Sequence, residues 1–332
     1  MPIPESEIPP PRPQDASVSG EIPVIDILCS TRDGERFVRD FVASLGEQTC
    51  RAFRFLVRDD GSSDGTVSAL RAAAETCGLA PEFLPSSGRH LGVVKSFGGL
   101  LAASSAPYVL FADQDDVWHR DKVETMLRQM RVAEARFGKE TPLLLHADLR
   151  VIDGRGAPKY GSFIRRMALS PGRCAFADLL VQNCVTGCAM MINASLRARV
   201  RQPLPDEAVC HDWYLALLAA AAGRILFTRR ILTDYRDHGG NVFGARRKSI
   251  FDVLLPASGG RGSLSERLRL TRRQAGAFLR QYGDILSPAD RAAAEAWAAL
   301  GDQPKLRRLA VCRKFNFRKN TLLRNIGMWW AI

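Results

Sequence analysis

The chain of 332 residues is 46% hydrophobic and 25% charged, enough apolar content for one large core or two modest ones and too much for a disordered or fibrous chain. Its 47 Lys plus Arg against 35 Asp plus Glu give +12, and residues 1–244 hold 29 of each sign, so residues 245–332 carry the entire excess with the remaining 18 and 6. The eight cysteines form no CxxC pair and show no Cys/His spacing typical of zinc, which argues against a zinc-finger or disulfide framework and leaves them as expected small buried hydrophobes.

Residues 1–21 are proline-rich and lack both a basic leader region and an apolar one, so they are expected to be a disordered tail and not a secretory signal. From Ile22 onward short apolar runs alternate with helix-like segments. IPVIDILCS precedes ERFVRDFVASLGEQ, FRFLV precedes TVSALRAAAETCG, PEFLP precedes GVVKSFGGLLAASS, and YVLF precedes DKVETMLRQMRVAEARFG. Four strand–helix units in succession predict an α/β fold with a mostly parallel, three-layer sheet. No run reaches the roughly 18–20 apolar residues that span a bilayer, and WYLALLAAAAG from Trp213 suits a buried helix. Cytoplasmic residence with reduced thiols is the resulting expectation.

Ligands of such sheets bind beyond the carboxyl ends of the strands, where RDDGSSDGT and ADQDDVW both fall. Neither GxGxxG after the first strand nor GxxxxGK[ST] occurs, which lowers the standing of dinucleotide oxidoreductases and P-loop NTPases. DDGSSDGT reads as a turn, with Gly61 and Gly65 permitting positive φ and Ser63 or Asp64 capping the next helix. A calcium loop fails because its twelfth position is Arg71. The functional alternative is that Asp60, or Asp59, accepts the N3 proton of a uracil or thymine ring.

Asp113, Asp115 and Asp116 crowd one strand end, and their repulsion is unfavourable without a compensating cation. Mg²⁺ or Mn²⁺ is the expected compensator, sharing its coordination between carboxylates and substrate phosphates. A solvated loop capping the next helix is the alternative.

CSTRDGERFVRDFVASLGEQT, RDDGSSDGT, LGVVKSF and FADQDDVWHRDK together resemble the family 2 glycosyltransferases of GT-A fold, in particular their rhamnosyltransferase-like branch. The resemblance continues through NCVTGCAMMIN, HDWYLALLAAAAG and YRDHGGNVFG, and so covers residues 22–244. It implies an inverting, metal-dependent transfer of a sugar, rhamnose in that branch, from a dTDP- or UDP-linked donor to a glycan or polyprenyl-diphosphate-linked acceptor in cell-envelope polysaccharide synthesis. Asp212 is then the general base, with Asp148 the alternative, and Thr31, Asp59, Asp60, Lys95, Asp113 and Arg236 serve the donor. Asp115 and His238 serve the metal, and Asp116 steadies the loop. The sequence departs from the family's pattern after Thr31, where Arg32 and Asp33 replace an aromatic-bearing segment, and at His90, which stands in place of an asparagine.

Residues 245–332 mix Leu, Phe and Trp with Arg and Lys at helical spacing, as in RLRLTRRQAGAFLRQYGDIL and KLRRLAVCRKFNFRKNTLLRNIGMWWAI. A basic amphipathic extension of this kind suits an anionic membrane surface at the inner face of the cell membrane, with packing on the body as the alternative. No base-reading motif points to nucleic acid. A competing reading of the whole chain is a catalytically silent nucleotide-sugar-binding scaffold at the membrane surface.

Overall fold

An apolar run without polar alternation makes a strand buried on both faces, and the first strand, β1 (Ile25–Thr31), shows it. Ile25, Ile27 and Cys29 enter one core while Leu28 enters another on the opposite face, the period-two alternation of a pleated strand. The computed structural model describes residues 25–86, 88–238 and 264–332; the expected tail over 1–21 and the first part of the basic region, 245–263, lie outside these.

In chain order follow α1 (Val38–Gly46), β2 (Phe53–Asp59), α2 (Thr66–Thr76), β3 (Pro81–Phe83), α3 (Val93–Ala103), β4 (Tyr108–Asp113), β5 (Val117–Trp118) and α4 (Lys122–Phe137). Next come β6 (Leu143–Asp153), β7 (Pro158–Tyr160), α5 (Phe163–Arg166), α6 (Phe176–Val181), β8 (Met190–Asn193), α7 (Ala194–Ala198), α8 (His211–Ala222) and β9 (Arg224–Asp237). The chain ends in α9 (Leu264–Tyr282), α10 (Pro288–Ala298), α11 (Lys305–Lys314) and α12 (Leu322–Ala331).

The sheet order is β3-β2-β1-β4-β8-β6-β9-β5, with β7 beside β6. The four expected strand–helix units supply β3, β2, β1 and β4, all parallel. Beyond β4 the sheet is mixed, because β8 inserts antiparallel between β4 and β6 while β9 returns parallel to β6.

Buried Asp26 holds the amino end of β1 in place. Its carboxylate accepts from Arg54 Nε and Nη2, both at 2.8 Å, from Ser104 Oγ at 2.7 Å, and from the N–H groups of Ser105 and Ala106. Burial pushes its pKa up, but Arg54, Ser104 and Ala106 outweigh it and hold the carboxyl below its usual range.

Helices α1, α2 and α4 cover one face of the sheet and α3, α6 and α8 the other. The basic C-terminal helices join that second face: Leu268, Phe278, Trp297, Phe317 and Met328 belong to one core with Leu28, Phe97 and Tyr214. Their outer side keeps Leu306, Leu322, Ile326 and Trp330 in solvent, Leu306 and Trp330 at 84% and 83% exposure.

Candidate functional site

Strand register brings the two acidic loops together. Thr31 lies opposite Asp59 and Ser30 opposite Asp113, so the ends of β2 and β4 flank the end of β1 at the same carboxyl edge. The loop after β1 bridges them: Gln114 of the β4 loop accepts from Arg32 N at 3.0 Å and donates to Arg32 O at 2.6 Å, and Asp33 beside it accepts from Ser63 N of the β2 loop at 2.8 Å. Because β8 is antiparallel, the turn over residues 186–189 that feeds it opens at this edge too.

Asp59 and Asp60 are both occupied by partners within the protein. Asp59 accepts from Thr31 Oγ1 at 2.8 Å, Ser62 Oγ at 2.6 Å, and the N–H groups of Gly61 and Ser62. Asp60 accepts from Arg58 Nη1 at 2.9 Å and the N–H groups of Leu91 and Gly92, and stands 2.7 Å from His90 Nδ1. Burial alone would raise the Asp60 carboxyl; the Leu91 and Gly92 N–H groups and Arg58 outweigh it and hold it at about 2. His90, the departure from the family pattern, is thus part of Asp60's own clasp. Gly61 takes φ +81 as expected, whereas Gly65 sits at φ −76 and is small for room, a Cβ there meeting Glu35 Oε1 at 2.5 Å. The N-cap of α2 is Gly65, not Ser63 or Asp64, although the carboxylate of Asp64, one residue earlier, accepts from the Thr66 N–H at 3.0 Å.

The carboxylates after β4 differ in their surroundings. Asp116 is wholly buried; its Oδ1 accepts from Arg236 N at 3.1 Å and its Oδ2 has no hydrogen-bond partner. Asp113, Asp116 and Cys188 bring their ligand atoms within 4.8 Å of one another. Asp115 Oδ2 stands 2.6 Å from His238 Nε2, which brings together the two residues expected at the metal. Burial first, then Asp115 and Asp212, push the Asp113 carboxyl up to about 7; burial, Asp115 and Asp113 raise Asp116. The cluster holds more negative charge than its surroundings compensate.

Asp212 lies in the first turn of α8, whose N-cap is Cys210. Its Oδ2 accepts from Gly187 N at 2.9 Å, and its Oδ1 from Trp213 N at 2.5 Å and Asn183 Nδ2 at 3.4 Å. Burial raises the carboxyl to about 6 against these hydrogen bonds. Gly187 is needed for room: a Cβ there would meet His211 Nε2 at 2.9 Å, and the His211 ring is stacked 3.9 Å from Phe97. Burial pushes the His211 imidazole down to about 3, so it packs as a neutral ring.

Other expected residues are placed as follows. Arg236 is 3% exposed, donates Nε to Asp115 O at 2.8 Å and Nη2 to Asp40 Oδ2 at 2.8 Å, and so braces the acidic loop. Lys95, in the first turn of α3, pairs with Asp206 at 2.8 Å. Asp148 holds the start of α5, accepting from Ser162 Oγ and Ile164 N.

Sequence reasoning missed Lys122, a buried cation behind the carboxylates. Its Nζ donates to Cys188 O at 2.6 Å and Thr233 Oγ1 at 2.7 Å and lies 3.5 Å from the Trp118 ring centroid. Burial lowers it to about 7 against the pull of Asp116 and Asp113. A lysine in the first turn of a polar helix gives no sequence signal of burial.

The oxygens of Asp113 and Asp116 fit a hard divalent cation, since the unpartnered Asp116 Oδ2 and the surplus negative charge both ask for one. The Cys188 sulfur is too soft to be a preferred ligand of Mg²⁺ or Mn²⁺.

Comparison with known proteins gives this edge its family. Residues 26–137, which contain β1 to α4 and both acidic loops, match the family described as Glycosyl transferase family 2. The chain carries a family 2 glycosyltransferase domain. It is 23% identical over 223 residues to the dTDP-rhamnosyl transferase RfbG of Shigella flexneri, covering 65% of this chain and 73% of that protein. The fold is the GT-A fold. S. aureus TarS 1-349, solved in complex with UDP, superposes with a TM-score of 0.54 at 15% identity over 83% of this chain and 69% of that one. The mannosyltransferase PcManGT from Pyrobaculum calidifontis, solved with GDP-Man and Mn²⁺, gives 0.52 at 16% identity over 94% of this chain and 85% of that one. The fold therefore has the architecture expected from its βα units.

Proposed function

We propose that the transferase moves a sugar, rhamnose in the favoured case, from a dTDP- or UDP-linked donor to a glycan or polyprenyl-diphosphate acceptor with inversion. The observation that carries this reading is Asp212: a carboxylate held by the Gly187 and Trp213 N–H groups, raised to about 6, and close enough to raise Asp113 in turn. A base ionised at neutral pH and holding a high proton affinity suits removal of an acceptor hydroxyl proton. One displacement at the anomeric carbon, with attack opposite the leaving diphosphate, needs no covalent nucleophile. The curated relative's dTDP-rhamnosyl activity supports the donor and sugar.

Asp113 and Asp116, with the Asp115–His238 pair beside them, would hold Mg²⁺ or Mn²⁺. When bound, that ion supplies charge stabilisation to the departing diphosphate. Thr31, Asp59 and Asp60 border the crevice where a nucleoside would lie, and Gln114 fastens the β4 loop to the β1 loop at Arg32. Lys95 would reach a phosphate by exchanging Asp206 for it, while Arg236 acts by bracing Asp115.

The outer surface of α11 and α12 supports work at an anionic lipid surface inside the cell. Residues 305–332 contain eight Lys or Arg and no acidic residue, and Leu306, Leu322, Ile326 and Trp330 stand exposed among them. Among the described residues no helix is long and apolar enough to cross a membrane.

A thermal-shift series with dTDP, UDP and their sugars, with and without Mn²⁺, tests the donor site, because a ligand of the folded form raises its midpoint. Metal-dependent stabilisation by a pyrimidine nucleotide followed by donor turnover supports the proposal. Binding without turnover in the presence of lipid-linked acceptors leaves the scaffold reading, and folded protein that ignores every pyrimidine nucleotide overturns both.

A further inference from the structure

A second cluster of ligating side chains lies away from the acidic loop. His146 on β6 is fully buried, and neither ring nitrogen makes a well-formed hydrogen bond, the Cys174 thiol being a polar neighbour in reach. Its nearest ring neighbour is Phe227, with centroids 5.0 Å apart. Cys174 and Cys184, on either side of α6, bring their sulfurs to 2.7 Å of each other, and one imidazole nitrogen and both sulfurs lie within 4.8 Å. Cys184 is buried, while Cys174 is partly exposed and gives the cluster a way in. The spacing, 28 residues from His146 to Cys174 and ten more to Cys184, matches no zinc pattern in sequence, so only the fold assembles it.

A buried imidazole offered no better partners than two thiols is poorly satisfied, and a shared metal ion would satisfy all three groups. Two thiols plus one imidazole form a soft donor set without a carboxylate. Such a set selects a thiophilic d¹⁰ cation and disfavours Mg²⁺, Ca²⁺ or Mn²⁺. We propose that His146, Cys174 and Cys184 bind one zinc ion, with the fourth position toward the partly exposed side of Cys174. Two thiolates on a tetrahedral zinc stand roughly 3.7 Å apart, so the sulfurs separate by about 1 Å on binding. Both thiol protons are released to solvent as the zinc–sulfur bonds form.

The site borders the stretch that seats Asp212. Asn183, adjacent to Cys184, donates to Val185 O at 2.8 Å and reaches Asp212, and Gly187 N follows three residues later. His146 pairs in register with Met190, the first residue after the 187–189 turn. Zinc would fix both ends of this short stretch, a positioning role independent of whether Asp212 is the catalytic base.

The test is elemental analysis of the full chain purified with reductant and without chelator. The expected result is about one zinc per chain, retained on exchange into Mg²⁺ buffer and lost in Cys184→Ser and His146→Ala. Cobalt substitution should give the strong thiolate-to-metal absorption of a two-sulfur site. His146→Cys, which restores a ligand, should recover the metal if His146→Ala fails to fold. Folded native protein that takes up no zinc on reconstitution overturns the proposal. So does zinc unaffected by both ligand substitutions, or a freshly isolated chain about 2 Da light with Cys174 and Cys184 joined as a disulfide.

Discussion

Replacing Asp212 by Asn tests the catalytic role and the burial argument separately, turnover reporting on the first and the pH dependence of stability on the second. Burial raises this carboxyl from 3.8 to about 6, so near neutral pH the fold carries an ionised group it would hold more cheaply protonated. Two pH units correspond to about 3 kcal/mol. Asn removes that cost but cannot accept from both the Gly187 and Trp213 N–H groups, and losing one such acceptor costs about 1–3 kcal/mol. The net change at pH 7.5 is therefore small and not strongly destabilising.

The pH dependence is sharper than the net. A carboxyl raised in the folded state binds more protons there than in the unfolded chain, so the native protein loses stability as pH rises from 3.8 through 6. The Asp212→Asn substitution removes this loss. The melting difference between variant and native protein should grow by about 2 kcal/mol, or roughly 4 °C, between pH 4.5 and 7.5. Donor turnover with acceptor should fall by about 10² to 10⁴ while nucleotide binding is kept. Transfer within a few-fold of native removes Asp212 from the base role. A melting difference that does not change with pH refutes the burial argument.

Gly187→Ala should destabilise by about 1–3 kcal/mol, because the added Cβ meets His211, which Phe97 prevents from retreating. Its turnover should drop on the order of 100-fold as the Asp212 donor shifts, measured by denaturant titration beside kinetics. Mn²⁺ binding followed by calorimetry should be at least about 30-fold weaker at pH 5.5 than at pH 8, since Asp113, raised to about 7, must lose its proton first and Asp116, also raised, adds to the effect. Phe278→Ala should cost about 3–5 kcal/mol in denaturant unfolding with vesicle binding unchanged, because its ring packs 5.4 Å from both Phe176 and Tyr214. Trp330→Ala should do the reverse, leaving the melting point within about 1 °C and weakening co-sedimentation with anionic vesicles about tenfold.

The parallel half of the sheet was legible because its strands are buried on both faces and therefore read as unbroken apolar runs. FRFLV and YVLF became β2 and β4. The DQDD loop was legible for the opposite reason, since repulsive charge at a strand end has few structural excuses. What lay hidden depended on contacts distant in sequence. Nothing in MMIN tells that β8 inserts antiparallel between β4 and β6, a pairing made by tertiary packing alone. Lys122 looks like any surface lysine of a polar helix, and only the fold sets it against Trp118 and Cys188. Asp60 was assigned to a base by its position at the strand tip; the clasp that Arg58 begins is completed by His90, Leu91 and Gly92, about thirty positions downstream.

The basic C-terminal segment joins two expectations that the sequence set against each other, packing on the body and presenting charge to a surface. Its inner face is part of the catalytic half's support: Tyr214 Oη donates to Gln281 Oε1 at 2.7 Å, and Gln274 Oε1 accepts from Val209 N at 2.8 Å just ahead of α8. Through these contacts α9 fixes the helix whose first turn holds Asp212. The outer face is free to differ, because its cations and exposed Leu and Trp side chains sit on α11 and α12, which contribute only a few residues such as Cys312 and Met328 to the core. One segment thus supports the helix of the candidate base from within and presents exposed basic and apolar side chains on its outer side.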